Sequence, residues 1–183
     1  DDELFADWLA IAERAYDEAV HLHGNRRMYR LFGALFQKNA RLRETGGHVW
    51  NWMRQNYIAG AAMAIRRELD KDGSVANLRN MLYEMVKRPT ILNRRRYLNR
   101  WNPGGEWEVE IANRAFDSFG VARESTDRNE DYVDPAGIMS DLETLDRQTE
   151  TVRAYIEQSI AHRQWNAPEA VAFTEFNDTV AAI

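Results

Sequence analysis

Residues 134–156 read Asp134-Pro135-Ala-Gly-Ile138-Met-Ser-Asp-Leu142-Glu-Thr-Leu145-Asp-Arg-Gln-Thr149-Glu-Thr-Val152-Arg-Ala-Tyr-Ile156. Asp134 before Pro135 is a helix start: a short carboxylate can accept from the first unpaired amides, and the fixed φ of proline suits the first turn. Behind it Ile138, Leu142, Leu145, Thr149, Val152 and Ile156 recur four and three apart. That is a heptad-like seam, one apolar stripe on a long helix. The spacing predicts a single helix from 135 to about 164.

Working outward, the same period recurs. Phe5, Trp8, Leu9, Ala12, Ala15, Tyr16, Ala19 and Val20 predict a helix over 3–22, ended by Gly24-Asn25. Met28, Leu31, Phe32, Leu35 and Phe36 predict a second over 26–42, with Gly46-Gly47 as the break after it. Ile58, Ala62, Ile65 and Leu69 mark a third over 48–69, whose small Gly60, Ala61 and Ala64 admit a close neighbour. Asp70-Lys-Asp-Gly73 is a turn, and Ser74 is the expected N-cap of a helix over 75–87. Pro89 punctuates, a short helix follows over 90–99, and Asn102-Pro-Gly-Gly105 is a loop. A helix over 106–119, a polar loop over 120–134 and a last helix opened by Pro168 complete the chain. No β-branched run alternates as a strand would, so no sheet is expected. The fold class is all-α, an up-and-down helical bundle with short additional helices, and residues 1–183 are expected to form a single helical domain.

Composition narrows the functional classes. Of 183 residues, 44% are hydrophobic and 29% charged, with only four prolines, the make-up of a globular helical chain. With no cysteine, thiolate catalysis, disulfides and Cys-based metal sites are excluded, and a reducing, cytoplasmic setting is expected. No apolar run approaches a membrane span, so no membrane partner is expected. The acidic start at Asp1-Asp2-Glu3 is unlike a signal peptide, and the lack of an initiator Met suggests that the chain begins inside a longer one.

Charge is polarised along the sequence. Residues 23–100 hold 17 Lys and Arg against five acids, whereas residues 101–183 hold six Arg against 17 acids. Such polarity suits a polyanion on one side, or pairing between the two halves within a molecule or a dimer. The stretch Lys87-Arg88-Pro-Thr-Ile-Leu-Asn-Arg94-Arg95-Arg96-Tyr97-Leu-Asn-Arg100-Trp101 carries six cations and no acid. Arg88, Arg94, Arg95, Arg96 and Arg100 have forks suited to phosphates, and Tyr97 has a face on which a base can stack. An RNA-binding surface and a solvated face paired with the acidic half remain equal readings.

The segment Tyr155-Ile-Glu-Gln-Ser-Ile-Ala-His162-Arg163, late in a long helix, resembles the HEPN superfamily, small helical proteins of prokaryotic defence and toxin–antitoxin systems, in its AbiU2-like branch. Ile65-Arg-Arg-Glu-Leu-Asp-Lys-Asp-Gly-Ser-Val-Ala-Asn-Leu-Arg-Asn-Met-Leu82 is similar to that branch's helix end, Asp turn and Leu-rich next helix. Phe173-Thr-Glu-Phe-Asn-Asp178 is similar to its closing helix. The resemblance implies a HEPN-like bundle that forms a homodimer and cuts RNA without metal or other cofactor. His162 would handle a proton, and an Arg before it, separated from it by four to six residues, would stabilise the phosphorane charge.

This chain departs from the family pattern at the Arg. The expected window holds Tyr155, Ile156 and Glu157. Arg153 lies nine steps before His162, about 180° round a regular helix, and the adjacent Arg163 points about 100° away. With Arg153 and Arg163 as the candidates beside it, His162 is also readable as a C-terminal histidine facing the helix dipole. Arg14 with His21, and Arg43 with His48, meet the bare spacing without the other features. The second functional reading is a non-catalytic helical scaffold, a partner of another protein, motivated by the missing Arg and the heptad-like seam. That seam, with Trp50 and Trp52, also motivates the dimer. Asp70-Lys-Asp-Gly begins like a calcium loop but has Val75 and Met81 where Gly and Glu are needed. No metal-ligand spacing stands out.

Overall fold

The computed structural model describes residues 1–156. They form seven α-helices: α1 (Asp2–Lys38), α2 (Ala40–Thr45), α3 (Gly47–Leu69), α4 (Leu78–Lys87), α5 (Arg94–Trp101), α6 (Glu106–Asp117) and α7 (Pro135–Tyr155). Two 3-10 turns, Pro89–Ile91 and Arg128–Glu130, and two short strands, β1 (Val121–Ala122) and β2 (Tyr132–Val133), lie between them. The fold is all-α, as the helical period predicts.

Local signals place most of the ends. Asp134 starts α7: its carboxylate accepts from the Ala136 amide at 3.0 Å and the Gly137 amide at 3.2 Å. Asn93 caps α5, accepting from Arg96 N at 2.9 Å, and Asn39 caps α2. Three expectations are corrected. Gly24 does not end a helix, because α1 runs on to Lys38. Interior glycine costs a helix only about 1 kcal/mol relative to alanine, which packing on both sides outweighs. Ser74 is not the cap of α4. It is held by Asp72 Oδ1, at 2.9 Å from its amide and 2.8 Å from its hydroxyl, and the buried Asn77 caps the helix instead. A sheet is present, though minimal: β1 and β2 pair antiparallel, Val121 opposite Val133 and Ala122 opposite Tyr132. Two-residue strands carry no readable alternation, and this pair is set by the burial of Val133.

The described residues divide into two compact units, Asp1–Ala12 with Lys71–Thr144, and Glu13–Asp70 with residues 145–156. The first is built on Trp8, Met81, Met85, Ile91, Phe116, Val133 and Ile138. The second is built on Leu22, Tyr29, Tyr57, Ala61, Ala62, Ala64, Ile65, Leu69, Val152 and Ile156. In the second unit α1 and α3 run antiparallel. Glu18 meets Arg67 at 2.6 Å, Tyr29 stacks on Tyr57 with ring centres 4.8 Å apart, and Phe36 stacks on Trp50 at 5.4 Å. Ala61, Ala62 and Ala64 of α3 are buried here, as small residues at a close helix contact should be, whereas Gly60, expected beside them, is exposed.

The α7 seam is turned inward. Ile138, Leu142, Thr149, Val152 and Ile156 are all buried within this chain. Trp50 is half-buried in the aromatic stack, while Trp52 is 64% exposed. The predicted continuation of the helix to 164 and the helix opened by Pro168 lie outside the described residues.

Candidate nucleic-acid interface

The basic stretch 87–101 spans the end of α4, the 3-10 turn and α5, and its cations have very different surroundings. Arg94 is turned inward, with 2% of its side chain exposed. Its guanidinium donates to Asn113 Oδ1 at 2.9 Å, to Asp117 and to the buried Asp131 at 3.3 Å, and lies 4.7 Å over the Phe116 ring. The Arg94 amide donates to the Asp131 carbonyl at 2.8 Å. Asp131, whose side chain is fully buried, is also gripped by Arg123 through Nε at 2.7 Å and Nη2 at 2.9 Å. Two guanidinium groups thus share one buried carboxylate. The segment 120–134, polar enough to read as a loop, is pinned to the core by this carboxylate.

The electrostatics follow from the contacts. The Arg123 hydrogen bonds hold the Asp131 carboxyl below the usual carboxylate range against the opposing effect of burial. The Arg94 hydrogen bond does the same for Asp117, aided by Arg128 at 3.2 Å. Arg123 is correspondingly raised by Asp131. Each is a charge-assisted bond that favours the ionised pair.

The other residues of the stretch lie nearer solvent. Arg95 is half exposed between Asp127, at 3.5 Å, and Glu130. Arg96 donates to Asp2 at 2.8 Å and to the Ile91 carbonyl at 3.0 Å. Arg88 is exposed at the end of α4, and Arg100 is exposed near the end of α5. Tyr97 is half-buried among Trp101, Phe116 and Phe119, with ring centres 5.5–6.0 Å away, and burial raises its hydroxyl pKa. The helix α5 therefore presents Arg95 and Arg100 outward, with Arg88 exposed just after α4, while Arg94 and Tyr97 anchor α5. Apart from Asp2, the partners in these pairs, Asp117, Asp127, Glu130 and Asp131, come from the acidic half of the chain. Their abundance in that half was the only sequence signal, and it did not single out Asp131 or Arg123.

The candidate catalytic set is split. Arg153 lies on α7, mostly buried, with Nη1 3.2 Å from Asp146 Oδ1. His162 and Arg163 lie outside the described residues. Of the weaker pairs, Arg14 and His21 are both exposed on α1, while Arg43 donates to the Gln37 carbonyl beside the α2–α3 junction. Among the described residues no group of His, Asp and Glu is placed to hold a metal ion, and no helix is long and apolar enough to cross a membrane.

No curated protein and no solved structure matches the chain. A family model does. The helical order, the Asp turn after α3 and the helix carrying Arg153 all fall inside one match, to the HEPN family described as AbiU2, which covers residues 5–180 and so nearly the whole sequence. The chain belongs to the AbiU2 family of HEPN proteins.

Proposed function

We propose that this chain is an RNA-directed HEPN protein of a prokaryotic defence or toxin–antitoxin system, a metal-independent endoribonuclease or a relative that binds RNA without cutting it. Family membership over residues 5–180 carries the reading. The surplus of cations over 23–100 supports it, and the outward Arg88, Arg95 and Arg100 are its phosphate contacts on α4 and α5.

In the cleaving form, His162 moves the proton of the 2′-hydroxyl or of the leaving group, and an Arg stabilises charge on the phosphorane. Arg153 is engaged with Asp146 and reaches a phosphate only by leaving it. The alternatives are Arg163 and an Arg supplied by a second copy of the chain, which is why a homodimer belongs to this proposal. Light scattering at micromolar concentration tests it, and a monomer there would remove the dimer.

The deciding experiment incubates structured RNA with the native protein and with His162→Ala, both in EDTA. Cleavage that disappears in the variant assigns the ribonuclease. Salt-sensitive binding without cleavage assigns the degenerate RNA-binding relative. Indifference to RNA sinks both and leaves a second reading, a non-catalytic helical scaffold that binds a protein partner. One observation favours that alternative: Met28, Leu31, Leu35 and Trp52 are each more than half exposed, an unusual amount of apolar surface for one stretch of chain.

A further inference from the structure

The cations of α5 largely meet carboxylates, whereas the basic residues of the 23–30 stretch of α1 meet none among the described residues. Between Glu18 and Glu44 there is no acidic residue, while Arg26, Arg27, Arg30, Lys38, Arg41 and Arg43 fall in that interval. His23, Arg26, Arg27 and Arg30 line an open groove of about 500 Å³, with Leu31 at its edge. At 100° per residue these four cover about 100° of the helix circumference, beside the stripe that buries Leu22 and Tyr29. His23, Arg27 and Arg30 are exposed and Arg26 is half-buried. None of the four forms an ion pair among the described residues.

Two further observations mark the groove as more than a solvated face. The Arg26 Nε is enclosed and has no hydrogen-bond partner, an uncommon state for a buried donor. Cations also approach from both helices of the antiparallel pair. Arg54 on α3 acts electrostatically on Tyr29, and Arg26 on α1 acts on Tyr57, across the Tyr29–Tyr57 stack. Positive charge is gathered here, and among the described residues no carboxylate pairs with His23, Arg26, Arg27 or Arg30.

We infer that His23, Arg26, Arg27 and Arg30 form a second phosphate-binding strip, distinct in sequence from the α5 stretch, that takes the RNA backbone. The inference rests on the RNA-directed reading and adds where the strand runs. Guanidinium forks match phosphate oxygens in pairs. Among the described residues the groove offers neither amide side chains nor open aromatic faces, so it grips without reading sequence. Its contribution is therefore steep in salt and equal for all sequences.

The test measures binding of fluorescein-labelled single-stranded RNAs of two unrelated sequences across a salt series. It compares the native chain, Arg27→Gln/Arg30→Gln and Arg95→Gln/Arg100→Gln, with circular dichroism to check folding. The α1 double variant should lose about tenfold in affinity for both RNAs, and its log–log salt slope should fall by about 1.4, two phosphate contacts' worth. An unchanged slope in the α1 variant, beside a fall in the α5 variant, overturns the strip and leaves the RNA reading standing. If the native chain shows no salt-sensitive RNA binding but holds a poly-glutamate peptide through Arg27 and Arg30, both fall, and the strip is a site for acidic protein.

Discussion

The Arg94 guanidinium lies 3.3 Å from the Asp131 carboxylate, with 2% of the arginine side chain and none of the aspartate side chain exposed. The arginine begins α5 and the aspartate sits 37 residues later, between the 3-10 turn Arg128–Glu130 and β2. Removing one partner of a buried pair costs more than the pair contributes, because the other charge remains desolvated. Asp131→Ala should therefore destabilise the protein by about 3 kcal/mol. Asp127→Ala, which removes a half-exposed partner of Arg95 and an exposed cap on the Asn129 amide, should cost less, about 1 kcal/mol. Urea denaturation followed by circular dichroism measures both. Equal losses would mean that Asp131 is not the anchor of the 120–134 segment.

The same pair sets the response to acid. Asp131 and Asp117 are both held below the ordinary carboxylate range by their arginines. A group depressed in the folded state contributes stability above its unfolded pKa, about 3.9, and loses it as pH falls through the folded value. The thermal midpoint should thus be insensitive to these two groups from pH 7 to about 5 and should fall below about pH 4. In Asp131→Asn that acid fall should be shallower. A variant curve parallel to the native one at low pH would exclude Asp131 as a contributor.

Two glycines with opposite roles separate the observed helix from the predicted one. Gly24 lies inside α1, and a β-carbon added there meets nothing within 4 Å. Gly24→Ala should stabilise the protein by about 1 kcal/mol, through helix propensity and a less flexible unfolded chain. Gly120 has φ of +78°, and an added β-carbon would lie 3.3 Å from Asp134 Cβ. Gly120→Ala should cost about 1–2 kcal/mol. Thermal melts of the two variants should move in opposite directions. A destabilised Gly24→Ala would argue for a break at that position.

The aromatic stack between α1 and α3 should carry much of the second unit's stability. Tyr57 is 9% exposed and stacks on Tyr29, whose ring is also 4.9 Å from Trp50. Tyr57→Ala should cost about 3–4 kcal/mol. Tyr57→Phe keeps the ring and should cost under about 1.5 kcal/mol. Similar losses from both would place the contribution in the hydroxyl rather than in the stack.

Helical period, caps and charge distribution are properties of short stretches, and the sequence by itself determined them here. The seam from Ile138 to Ile156, the Asp134-Pro135 start, α3 and the all-α class were all legible, and so was the family. Tertiary structure decided what those stretches meet. Gly24 reads as a stop until the residues on both sides pack along one continuous α1. Arg94 is indistinguishable in sequence from Arg95, but one faces Asp131 in the core and the other faces solvent. The seam that suggested a partner helix from another chain is buried inside this one. The His23–Arg30 strip is distinguished by its lack of ion pairs among the described residues, which no composition of the strip itself reveals. The physical reason is common to all four cases. Secondary structure is set by neighbours in sequence, whereas burial and charge neutralisation are set by residues tens of positions away.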